Sequence, residues 1–186
     1  MNYLKSLYSG VWGALLLLSC TDAEDTIGLK DSTAGAYVTV LSVASSSFDV
    51  KHMDAAYFEL TVRAWDEQHG GLLQSFNFSV KLLDNTTVNG TTETVVTAVK
   101  SIPASAFSPD KTTGLPSATI RITAAEALEV LGITASDVAK GDVFQFLEEL
   151  VLTDGRRFND PNTAVEVGSS AFYKSPFYHN VTVVDN

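Results

Sequence analysis

Only one cysteine, Cys20, occurs in the 186 residues. An intramolecular disulfide and a cysteine-rich metal site are therefore excluded. Histidine is scarce too. His52, His69 and His179 stand far apart, with no His-x-x-x-His or Cys-His spacing, and each reads as a surface or edge residue. Basic residues are outnumbered, 12 Lys and Arg against 22 Asp and Glu, for a net charge of −10. That balance argues against nucleic acid and anionic membrane surfaces as partners. No glycine-rich loop ends in Lys-Ser or Lys-Thr, and no dinucleotide fingerprint is present. Gly168-Ser169-Ser170 lacks the second flanking glycine of a nucleophile elbow. No cofactor is implied by any of these patterns.

The chain does have a distinctive start. Lys5 is the one charge in residues 1–19, and an apolar stretch runs from Leu7 through Val11, Trp12 and Ala14 to Leu18. A positive segment followed by a short apolar one is the layout of a secretory signal. The stretch falls short of the roughly 20 apolar residues that a spanning helix needs. It ends in Leu17-Leu18-Ser19-Cys20, which resembles the lipobox of bacterial lipoproteins. The resemblance implies a diacylglyceryl group on the Cys20 thiol, cleavage between Ser19 and Cys20, and acylation of the new amino group by a fatty acid such as palmitate. Two or more chains hold a soluble domain on a membrane where one binds only marginally, at ~0.8 kcal/mol per buried CH₂. An uncleaved anchor or an ordinary signal with a free thiol is the plainer alternative.

Residues 20–35 read as an acidic flexible tether. Thr21-Asp22-Ala23-Glu24-Asp25 resembles the export signal that sends lipoproteins of Bacteroidota to the outer face of the outer membrane, and otherwise reads as a solvated linker. A coil of this length spans roughly 20 Å. Asp25-Thr26-Ile27 and Asp31-Ser32-Thr33 resemble the O-glycosylation triplet of the same bacteria.

Residues 36–186 amount to one domain on the usual size prior, and most of their pattern has period two. Tyr37 to Val43 reads as a strand rich in β-branched residues. Phe58, Leu60, Val62 and Ala64 alternate with polar neighbours, as do Phe76, Phe78, Val80 and Leu82. With the Gln68-His69-Gly70-Gly71 turn between them, these two runs read as a hairpin with one dry face. Thr94 to Val99, Ala118 to Ile122, Asp142 to Thr153 and Ser175 to Val184, with Pro176 at its start, are further strands. The period changes once. Thr123-Ala124-Ala125-Glu126 is a capping box, Ala124, Ala127, Leu128 and Leu131 share a face, and Gly132 ends the helix. Many short strands and one helical insert predict an all-β antiparallel β-sandwich with one short helical insert.

Chemistry-bearing groups are sparse. Asp66 with Glu67, and Glu148 with Glu149, are carboxylate neighbours, but adjacent residues on a strand face opposite ways and do not act as a glycosidase pair. Glu148 interrupts a dry parity, which predicts either a bulge there or a hydrogen-bonded structural carboxylate. Asp154, Asn159, Asp160 and Asn162 fit ordinary turns better than a calcium loop, and no metal site is assigned. The aromatic residues are left as the ligand-binding candidates. Trp65 ends a strand beside a polar turn, Tyr57 shares its parity, and Phe172 and Tyr173 precede Pro176. Flat rings beside amides and carboxylates suit sugar rings, and they equally suit packing on the sheet or against a partner.

The lipobox with its acidic follow-on, the helical insert Thr123 to Asp142, and the closing run Gly168 to Val184 together resemble the small lipoproteins of Bacteroidota polysaccharide-utilisation systems. They are similar to the SusE type, whose amino-terminal module is immunoglobulin-like. The resemblance implies a non-enzymatic lipoprotein, lipid-anchored and surface-exposed on the outer membrane, accessory to a TonB-dependent SusC/SusD-type transporter pair in nutrient uptake, with glycan as the captured ligand. It carries over no binding residue. A structural or assembly module of an envelope complex, without direct ligand binding, is the second reading.

Overall fold

The computed structural model describes residues 35–163, 167–168 and 173–186. Cys20, Phe172, the signal segment, the two glycosylation triplets and the acidic follow-on lie outside the described residues. Gly35–Asn186 forms one unit of its own.

Strict alternation shapes it. In β3 (Tyr57–Trp65) every second side chain is buried, Phe58, Leu60, Val62 and Ala64, and the strand pairs with β1 (Tyr37–Ser45) on one side and β7 (Pro116–Thr123) on the other. The two-residue β6 (Ser108–Pro109) completes the order β1-β3-β7-β6. The second sheet runs β2 (Ser47–Asp49), β10 (Tyr178–Val184), β8 (Val143–Leu152), β4 (Leu73–Leu83), β5 (Thr97–Pro103), with β9 (Arg157–Asn159) hairpinned onto the end of β8. All neighbours are antiparallel except β2 and β10. The orders β1-β3-β7-β6 and β2-β10-β8-β4-β5 give the Greek-key arrangement of immunoglobulin-like sandwiches. The fold is thus the expected all-β sandwich with one short helical insert.

Inward-facing rings fill the space between the sheets. Phe58 stacks on Phe146 of the facing sheet at 5.0 Å, and Phe48 meets Phe144 of its own sheet at 5.2 Å. Each such burial stabilises the fold by roughly 1.5–3 kcal/mol. The insert is helix α1 (Ala124–Leu131). Thr123 and Glu126 form the full reciprocal box, and Gly132 closes the helix at φ 67°, a left-handed conformation natural to glycine. Ala124 and Ala127 are buried, and Leu128 and Leu131 pack against the core.

Two sequence readings are corrected and a third is narrowed. The runs Phe58–Ala64 and Phe76–Leu82 are not a hairpin: β3 and β4 belong to different sheets, and both turn their dry faces to the shared core. The turn between them is a corner, pinned by Asp66. Secondly, β5 begins at Thr97: Thr94 meets β4 through its hydroxyl, which accepts from the Leu82 amide at 2.8 Å, and not through a backbone ladder. Val95 and Val96 are consequently exposed. Thirdly, of the two readings, surface or edge, His179 takes the edge, since β10 pairs with β2 only from Thr182 onward. It lies on the inward side of β10, tilted against Phe58, with its side chain 16% exposed.

Candidate ligand-binding surface

The outward side of β3 carries Tyr57, Glu59, Thr61, Arg63 and Trp65 in a row, all half-buried. Pairing decides their neighbours. Tyr37 of β1 sits opposite Trp65, and the two rings stack at 5.2 Å with planes 19° apart. Tyr173 meets the Tyr37 ring edge-on at 4.9 Å and 74°. Offset and edge-to-face contacts of this kind each add about 0.5–1.5 kcal/mol beyond area burial. Burial, then the neighbouring Tyr173, raise the Tyr37 hydroxyl above its ordinary pKa, against a smaller pull from Arg63. Arg63 follows in the row, 3.9 Å from the Asp110 carboxylate. Asp110 is held below the usual carboxylate range, first by the Thr113 amide and then by the Thr113 hydroxyl.

The loop after Trp65 is rigid for a specific reason. Asp66 is 2% exposed and accepts from the amides of Gln68 at 2.8 Å, Gly70 at 2.9 Å and Leu72 at 3.0 Å. Gly70, at φ 88°, lies so close to Pro116 that a Cβ there would come within 2.3 Å of the proline ring. A satisfied buried carboxylate and a glycine contact fix the turn, and the turn fixes the end of β3 that bears Trp65.

Tyr57 stands at the other end of the same strand. Eight residues at about 3.3 Å each put it roughly 26 Å from Trp65. Its ring lies under the Arg121 guanidinium at 3.8 Å, and Arg121 also binds Glu59 at 2.9 Å. Beside it is a shallow open cleft of ≈ 320 Å³, lined by Tyr57 with Ala44, Ser45, Asp49, His52 and Ala56. Thr61 and Thr119, bonded at 2.9 Å, occupy the sheet between the two ends.

Of the four aromatic candidates, then, Trp65 and Tyr173 come together through Tyr37, Tyr57 is set apart, and Phe172 lies outside the described residues. Tyr37 was missed in the sequence. It opens β1, and only the β1–β3 register shows that it faces Trp65. Glu148 is neither bulged nor exposed: it holds its place in the β4–β8 register opposite Phe78, 4% exposed, with His179 at 2.6 Å. It is the structural carboxylate of the two readings. Asp154, Asn159 and Asn162 are occupied in turns, Asp154 by Arg156 and Asn162 by the Asn159 amide and the Arg157 carbonyl. Among the described residues, no three His, Cys, Asp or Glu side chains converge on a point where a metal ion would sit. The surface offers stacking rings, the two guanidinium groups of Arg63 and Arg121, and hydrogen-bonding hydroxyls. No protein-family model matches the chain, and no curated protein matches it.

Proposed function

We propose that the chain is a non-enzymatic, surface-exposed lipoprotein of the outer membrane, anchored through Cys20 and accessory to a TonB-dependent SusC/SusD-type nutrient uptake system, and that it captures glycan at the Trp65 end of the β1–β3–β7–β6 sheet. One observation carries the binding part. Trp65, Tyr37 and Tyr173 are already fixed against one another on a sheet end that Asp66 makes rigid. Rings held in place beforehand lose little rotamer freedom on binding. The adjacent Arg63 and Asp110 supply donors and acceptors for hydroxyl groups. The anchor rests on the Leu17-Leu18-Ser19-Cys20 motif.

Affinity electrophoresis in gels holding different soluble glycans tests the capture. Wild type is expected to be retarded by at least one of them, and Trp65→Ala to run unretarded. Equal mobility of both proteins in every gel would remove glycan capture. Mass spectrometry of the native protein tests the anchor: the expected amino-terminal peptide begins at a lipid-modified Cys20, and an unmodified Cys20 behind an intact leader contradicts it.

The second reading is a structural or assembly module of an envelope complex. It is favoured by the same cluster seen from the other side, because each ring already has a ring partner within the chain. Co-purification with a transporter, together with no retardation by any glycan, would select it.

A further inference from the structure

The connection from β4 to β5 is a long loop, residues 84–96, closed at its base by one carboxylate. Asp84 accepts from the Thr86 amide at 3.1 Å and the Thr92 amide at 2.7 Å. Farther out, two bonds tie the loop to the single turn of 3-10 helix at Ala135–Asp137. Asn89 Nδ2 donates to the Ser136 carbonyl at 3.1 Å, and the Thr92 hydroxyl donates to the Asp137 carbonyl at 3.3 Å. Asn89 is thus the outer half of a two-bond latch.

Asn89 is followed by Gly90, and this is the sole Asn-Gly pair in the 186 residues. Both residues are exposed. Gly90 has φ 104°, and the space where a Cβ would stand is open. Its amide makes only a long contact of 3.4 Å with the Thr87 carbonyl. The next residue is different at the other described asparagines: Asn77 precedes Phe78, Asn85 precedes Thr86, Asn159 precedes Asp160, Asn162 precedes Thr163, and Asn180 precedes Val181. Each of those side chains crowds the amide that would have to move.

From this we infer that Asn89 is a site of spontaneous deamidation, and that the product opens the latch. The Gly90 amide nitrogen attacks Asn89 Cγ. A new C–N bond closes a five-membered succinimide, the Cγ–Nδ2 bond breaks, and the amide proton leaves with the departing ammonia. Solvent water then opens the ring at either carbonyl, giving aspartate or isoaspartate. No oxidation takes place. The donor that faced the Ser136 carbonyl becomes an acceptor carrying negative charge. Two acceptors face to face cannot bond, and the exposed Ser136 carbonyl exchanges its Asn89 donor for water. Glu93 in the same loop and Asp137 on the opposing turn add like charge.

Incubation of the full folded protein at mildly alkaline pH, followed by peptide mapping, tests the site. Fragment ions should place the NH-to-O mass gain on Asn89, in both product forms, and leave Asn85 of the same tryptic peptide unchanged. Asn89→Gln should abolish the gain. Conversion at Asn89 no greater than at Asn85 would overturn the assignment. The latch is tested by hydrogen exchange on Asn89→Asp, an exposed change that leaves the core intact. Amides of residues 86–92 should exchange several-fold faster than in wild type and in Asn89→Gln. Exchange equal to wild type would overturn the opening.

Discussion

His179 Nδ1 lies 2.6 Å from Glu148 Oε1, on the inward side of β10 beside the Phe58 ring. The pair joins adjacent strands, because β10 lies antiparallel to β8 and the Glu148 amide also donates to the Phe177 carbonyl at 2.9 Å. His179→Ala leaves the buried Glu148 side chain without its hydrogen-bond partner, at a cost of about 1–3 kcal/mol. Replacing both residues by leucine removes the orphan as well as the pair, and the loss should be much smaller or absent. Denaturant midpoints of the two variants test this. Equal midpoints would show that the pair contributes only its contact area.

Asp66→Ala removes the acceptor for three amides at once. These amides are part-buried, and each one orphaned costs up to about 1–3 kcal/mol, so the variant should be destabilised. The chain from Cys20 onward contains Trp65 as its sole tryptophan. Its fluorescence in that variant should therefore shift with the collapse of the turn. An unshifted spectrum with unchanged stability would mean that the loop holds itself.

Acid should unfold the domain through its depressed carboxylates. Asp84 lies below the ordinary value of 3.8 because of the Thr92 amide and then the Thr86 amide, and Asp137 because of the Thr134 amide and then its hydroxyl. A carboxyl lowered in the folded state stabilises the fold fully above its unfolded value. That contribution disappears as pH falls from there through the native value. Stability should be level across neutral pH in this respect and decline below about pH 4. Asp84→Asn should flatten the decline while lowering the plateau. An unchanged acid limb would count against Asp84 as a contributor.

Thr123→Ala should cost about 1 kcal/mol, since it strips the cap from α1 and leaves the Glu126 amide without its acceptor. Thr123→Ser should restore most of it. The thermal midpoint reads both.

Much of this architecture was written locally. The alternation of β3 and β4, the capping box at Thr123 and the left-handed Gly132 each depend on neighbours within a few residues, and all were legible. What failed depends on distant partners. Asp66-Glu67-Gln68-His69-Gly70 has the composition of a hairpin turn. Only the buried Asp66 carboxylate, collecting amides as far as Leu72, makes it a corner between sheets. His179 has no near neighbour in sequence that hints at Glu148, 31 residues earlier. For the candidate surface, parity placed Tyr57 and Trp65 correctly on one face. It gave no measure of the length of strand between them, nor of Tyr37 arriving from β1.

The parallel ladder between β2 and β10 has a mechanical consequence. Thr182, Val183 and Val184 pair with Ser47, Phe48 and Asp49, and Lys51 adds ties to Asp185 at 2.6 Å and to the Asn186 carbonyl at 3.2 Å. Tension applied between Gly35 and Asn186 drags these two strands lengthwise in opposite directions. Their bonds must then rupture together in shear rather than unzip one after another, and single-molecule pulling should meet its highest force peak there, lowered when Lys51→Ala loosens the clamp. A body tethered at one end and tugged at the other would yield last at this seam.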